Sequence, residues 1–170
     1  MHKIASFINH FNEKIGNAIS WLTSILVWVI CLDVVLRYFF NLSWSGLFEL
    51  EWHLFALLFL LGAASTLTAD KHVRVDVFYS KFSEKGKAWV NLIGTVVFLM
   101  PLCWVVIKSS IPFVMNSYEI MEGSPDPGGL PFRFIVKSAI PIGFFLLMLQ
   151  GISLMLTSLL TIQGKQLKDV

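Results

Sequence analysis

Residues 19–40 read ISWLTSILVWVICLDVVLRYFF, and the fold turns on how so apolar a stretch is buried. A hydrocarbon core about 30 Å thick needs around 20 residues of helix at about 1.5 Å each. This run supplies that length with only Asp33 and Arg37 charged. It is too long for the h-region of a cleaved signal, and no small-residue cleavage site follows it, so it reads as a retained signal-anchor helix.

Working outward, three further stretches of the same kind follow, at about 47–69, 88–107 and 132–162. Across the chain 56% of residues are hydrophobic and 14% charged, whereas soluble domains carry roughly 25% charged residues. The natural solvent is therefore a bilayer. Residues 1–170 read as one all-α integral membrane domain of four transmembrane helices. Ahead of the first span, Ile4, Phe7, Ile8, Phe11 and Ile15 recur at helical spacing among Lys3, Asn9, Asn12 and Lys14. That pattern predicts an amphipathic interfacial helix over residues 1–17.

Basic residues orient the chain. Nine of them (Lys3, Lys14, Lys71, Arg74, Lys81, Lys85, Lys87, Lys165 and Lys168) fall on one side of the predicted spans, against Lys108, Arg133 and Lys137 flanking the third connection. The excess places both termini in the cytoplasm. A net charge of +2 is too small to indicate a polyanionic partner, so nucleic acid is excluded. Cys31 and Cys103 both lie in apolar runs and read as small hydrophobes.

Ionisable groups inside spans are the candidates for function. Asp33 and Arg37 are four apart on one helical face, with the acid nearer the amino terminus, the favourable order for an ion pair. Glu49 and Glu51 re-enter at similar height at the start of helix two. The four form a candidate cluster that serves either as interhelical or intersubunit glue or as a proton or ion relay. Pro101 and Pro141 each remove a backbone donor within a span, and Pro141 predicts a kink in helix four.

The sequence points to no catalytic, cofactor-binding or metal site. Neither a GxSxG elbow, a P-loop, an HExxH nor a dinucleotide fingerprint occurs. A bis-histidine haem needs two histidines at matched depth, whereas His53 and His72 stand about 28 Å apart along helix two. Residues 124–129, Ser-Pro-Asp-Pro-Gly-Gly, read as a rigid turn.

Several pieces together resemble the small membrane subunit of tripartite ATP-independent periplasmic (TRAP) transporters. They are Leu36 to Asn41 (LRYFFN), Leu61 to Ala64 (LGAA), Asp70 to Asp76 (DKHVRVD), Gly129 to Phe132 (GLPF) and Ala139 to Phe144 (AIPIGF). The resemblance implies a non-catalytic chain in the bacterial inner membrane that scaffolds a large multi-pass membrane subunit. That subunit would carry the sodium and substrate sites, and a periplasmic substrate-binding protein would deliver an organic acid of the sialic acid or C4-dicarboxylate class. By the same resemblance His72, Arg74 and Asp76 form a cytoplasmic assembly or fold-closing element, and an apolar flank is covered by the large subunit with membrane lipids along the seam. The competing reading is a self-sufficient homo-oligomeric transporter or channel with Asp33 and Glu49 lining the path.

Overall fold

The computed structural model describes residues 2–68 and 82–164. Four long helices account for nearly all of them: α1 His2–Phe39, α2 Ser45–Thr68, α3 Glu84–Glu119 and α4 Phe134–Ile162. Each is long and apolar enough to cross a membrane.

The helices run further than the hydrophobic stretches alone suggest. The amphipathic segment before the first span is helical, but it continues into that span without a break, making α1 a single 38-residue rod. Its packed edge is Ala5, Ile8, Asn12, Gly16 and Ile19, while Ile4, Phe7 and Phe11 face outward. A polar residue, Asn12, thus sits on the inner face. Helix α3 continues past Ile107 to Glu119, so Lys108 lies within the helix, about three turns before its end. Pro112 sits inside it too.

Helix α3 is not uniform. Pro101 has no N–H to give the carbonyl four residues back, and its ring crowds that carbonyl. Immediately before it, Thr95–Leu99 widens into a π-helical turn in which the Met100 N–H reaches the Thr95 carbonyl. By contrast, α4 keeps one helical run from Phe134 to Ile162 with Pro141 inside it.

Helix α4 is the hub, packing against α1, α2 and α3, and α1 also packs along α2. Helices α4 and α2 cross with their backbones close together. A Cβ on Gly143 would run into the Leu60 carbonyl, so only glycine lets the two backbones approach this closely. Gly16 plays the same part between α1 and Ser65 of α2. A small apolar cluster of Leu67, Cys103 and Leu147, flanked by Ala63, Leu99, Phe144 and Met148, fills the centre.

The distribution of side chains is inverted relative to a water-soluble bundle. Trp28 is 77% exposed and Phe39 79%, whereas Asn12, Asp33, Glu49, Gln150, Ser153 and Ser158 are buried. An outside this apolar suits hydrocarbon. The small and polar residues inside supply close packing and interhelical hydrogen bonds, which hold helices together where no hydrophobic force acts between them.

Candidate functional site: two polar ties and an open carboxylate

Three ion pairs, Arg37–Asp33, Arg133–Glu49 and Lys137–Glu122, gather where α1 and α3 end and α2 and α4 begin. Helix α2 starts at Ser45 and buries Glu49 one turn in. Its carboxylate is met by three donors. The Ser124 hydroxyl donates to Oε1 at 2.5 Å, Arg133 Nη2 donates to the same oxygen at 2.6 Å, and the Leu130 N–H donates to Oε2 at 2.6 Å. Charge-assisted bonds of this kind are the strong ones. Here they join residues 75 to 84 positions apart.

The connection that brings these donors in is itself locked. The Glu122 N–H bonds to the Ser117 carbonyl at 2.9 Å, Ser124 N–H to the Leu130 carbonyl at 3.0 Å, and Arg133 N–H to the Glu122 carbonyl at 2.8 Å. Met121 and Phe132 sit at φ 45° and 62° at its two ends, a left-handed conformation non-glycine residues seldom adopt unless the surroundings impose it. Gly129 completes the seat, because a Cβ there would strike the Ser124 side chain and lie 2.9 Å from Glu49 Oε2.

A second ion pair ties the same connection to α4: Lys137 donates to Glu122, and its Nζ stands 4.2 Å from the centre of the Phe113 ring. The lysine holds the Glu122 carboxyl below the usual glutamate range. Arg133 also lies over Trp52, 5.8 Å from the ring centre. The turn read at residues 124–129 is therefore more than turn chemistry, since its Ser124 is a ligand of Glu49.

The four candidate residues do not form one cluster. Arg37 donates to Asp33 within α1, the acid buried and the guanidinium half exposed. Glu49 is bound by the third connection, through Ser124, Leu130 and the residue that leads into α4, Arg133. Glu51 joins neither, and its Oε1 is buried with no hydrogen-bond partner. His72, Arg74 and Asp76 lie outside the described residues.

A second polar tie joins α1 to α4, and nothing in the sequence reading pointed to it. Asn12 Nδ2 donates to Gln150 Oε1 at 2.8 Å, Gln150 Nε2 donates to Asn9 Oδ1 at 3.0 Å, and the Ser153 hydroxyl donates to Asn9 Oδ1 at 2.7 Å. One signal was available: Gln150 interrupts an apolar run of helix four. Between Lys137 and Gln150 the buried residues of α4 are Val136's successors Ala139, Gly143, Leu146 and Leu147. About 20 Å of apolar and small lining therefore separates the two ties. Among the described residues no three His, Cys, Asp or Glu side chains converge to hold a metal.

Residues 26–161 match the family described as tripartite ATP-independent periplasmic transporters, DctQ component. The chain belongs to this family. It is 34% identical over 148 residues to a Haemophilus influenzae protein named as a TRAP transporter small permease, an alignment covering 86% of this chain and 89% of that relative. In this TRAP small permease subunit, the matched region takes in Glu49, the whole third connection, Gln150 and Ser153, so the ionic tie lies wholly within the family's span and the amide tie half within it. Asn9 and Asn12 fall before it.

Proposed function

We propose that this chain is the non-catalytic small membrane subunit of a TRAP transporter, a fixed scaffold for the large membrane subunit. It sits in the bacterial inner membrane with both termini in the cytoplasm. The complex takes up an organic acid of the sialic acid or C4-dicarboxylate class, delivered by a periplasmic binding protein and driven by sodium. The observation that carries this reading is the internal compensation of Asp33 and Glu49, the two acids among the described residues that are buried as whole residues. Asp33 is closed by Arg37 and Glu49 by Ser124, Leu130 and Arg133. With an apolar interval between the two ties, a single chain offers no ladder of open polar groups for a solute or proton to follow. In this arrangement the nine basic residues face the cytoplasm, and the locked third connection faces the periplasm, where a binding protein docks.

The test is a mild-detergent pull-down of the tagged chain from native membranes, with mass spectrometry of what stays bound. Near-equal recovery of a large multi-pass membrane protein is the expected result. Recovery of a homo-oligomer that alone moves solute in liposomes would replace this reading with the self-sufficient transporter. The variant Asp33→Asn separates the roles of the α1 pair. Loss of the assembled complex marks it as structural, whereas an intact complex that no longer transports marks a relay.

A further inference from the structure

Among the described residues at the loop end, Glu51 has a carboxylate oxygen that is buried and that no donor meets. It lies six residues into α2, about 9 Å along the axis from Ser45, and lines a lateral groove between α1 and α2 with a volume of about 240 Å³. The other walls are Leu26 and Ile30 of α1 and Phe48, Trp52 and Phe55 of α2. The cations of this end each have a carboxylate, Arg37 with Asp33, Arg133 with Glu49 through Nη2 and Lys137 with Glu122, although Arg133 Nε is left without a partner. Glu51 therefore lines the groove in apolar surroundings, and its Oε1 lies buried against the chain without a partner, where an unmet polar group is costly.

Two features define the occupant. The carboxylate calls for a donor bearing positive charge, which an acyl chain cannot supply. The phenylalanine rings lining the groove add faces that attract a cation. The groove opens on a flank where Phe48, Phe55 and Phe59 are all strongly exposed, a surface long enough to seat an apolar helix. We infer that the α1–α2 groove is where a lysine or arginine from a membrane helix of the large subunit inserts and pairs with Glu51. The inference rests on the small-subunit reading and adds to it the face, the depth and the charge of the contact.

The experiment uses the tagged chain co-expressed with the large subunit, with photo-reactive benzoylphenylalanine replacing Phe55 and, as a control on the far flank, Trp104 of α3. Crosslinking from position 55 is expected to capture a large-subunit peptide bearing a lysine or arginine, and more of it than from position 104. In parallel, Glu51→Gln is expected to lower recovery of the large subunit by about thirtyfold or more, as for the loss of one partner of a buried charge pair. Glu51→Lys should abolish recovery, and changing the mapped cation to glutamate should restore it, which a merely misfolded variant would not allow. Unchanged recovery with Glu51→Gln, or capture from position 55 of only lipid or a second copy, overturns the groove while the wild-type pull-down leaves the subunit reading standing. A wild-type chain that brings down no large subunit overturns both.

Discussion

The two polar ties, one at the entry to α4 and one along it, are made by opposite means. At the loop end the tie is ionic: the Glu49 carboxylate takes bonds from Arg133, Ser124 and the Leu130 backbone. Further along, where α4 meets the first turns of α1, the tie is made of amides and a hydroxyl with no formal charge, Asn12, Asn9, Gln150 and Ser153. The contrast follows the cost of charge. A full charge is affordable near a helix end, where backbone donors are free and the chain reverses close to the interface. Among apolar helices a neutral hydrogen bond joins two rods at far smaller desolvation cost. The ionic tie also enforces a register, since a buried acid has few acceptable partners, whereas an amide pair tolerates adjustment.

The most damaging challenge to this contrast is Glu49→Lys, which sets a cation against Arg133 and strips the Ser124 hydroxyl and Leu130 N–H of their acceptor. We expect a several-fold loss of monodisperse protein by size-exclusion chromatography. If Glu49→Lys purifies like the wild type, the ionic tie is ornamental and the contrast collapses.

Next in size is the seam between the two ties. Gly143→Leu pushes a side chain into the Leu60 backbone of α2, an overpacking that costs about 1–3 kcal/mol or more. Thermal unfolding in detergent reads the loss. Gly62 has open space around its Cα, so Gly62→Ala should hold or gain stability, by up to about 1 kcal/mol from helix propensity. Equal destabilisation by both variants would mean that the Gly143 crossing is not what sets the α2–α4 distance.

The amide tie predicts a smaller effect. Gln150→Leu removes the acceptor of Asn12 and the donor to Asn9, and interhelical bonds of this kind are worth about 0.6–2 kcal/mol in membranes. A double-mutant cycle with Asn12→Leu isolates the pair. A coupling near zero would show that packing alone joins α1 to α4 there.

What the sequence disclosed follows the range of the interactions. Four helices were legible because about 20 apolar residues in a row admit few alternatives, and the Asp33–Arg37 pair because it is a local, four-residue relation. Glu49 could not be assigned its partner from sequence, since Arg133 is 84 residues away and a carboxylate one turn into a helix looks the same whether Arg37 or Arg133 answers it. Helix α3 likewise runs further than its apolar stretch alone indicates. Lys108 reads as an interface residue, yet it stands in a helix that continues through Pro112 to Glu119. Asn12 was assigned to the polar side of an interfacial helix because its acceptor, Gln150, is 138 residues distant.

The gentlest perturbation is acid. Glu122, in the connection, has its carboxyl lowered below the ordinary glutamate range, about 4.3, chiefly by the hydrogen bond from Lys137. A carboxyl whose folded pKa is depressed adds stability that is present above its unfolded pKa and is lost as pH falls through the folded one. The Glu122–Lys137 pair should therefore hold the connection unchanged from neutral pH down to about the glutamate range, and release it only below. Hydrogen exchange at the backbone of residues 122–133 should accelerate over that acid window in the wild type. In Glu122→Gln, which keeps the shape but has no charge to titrate, exchange should be faster at neutral pH and lose that part of the acid dependence. An identical acid response in the two proteins would transfer the loop's pH sensitivity from Glu122 to another carboxylate of the ionic tie, with Glu49 the first to examine.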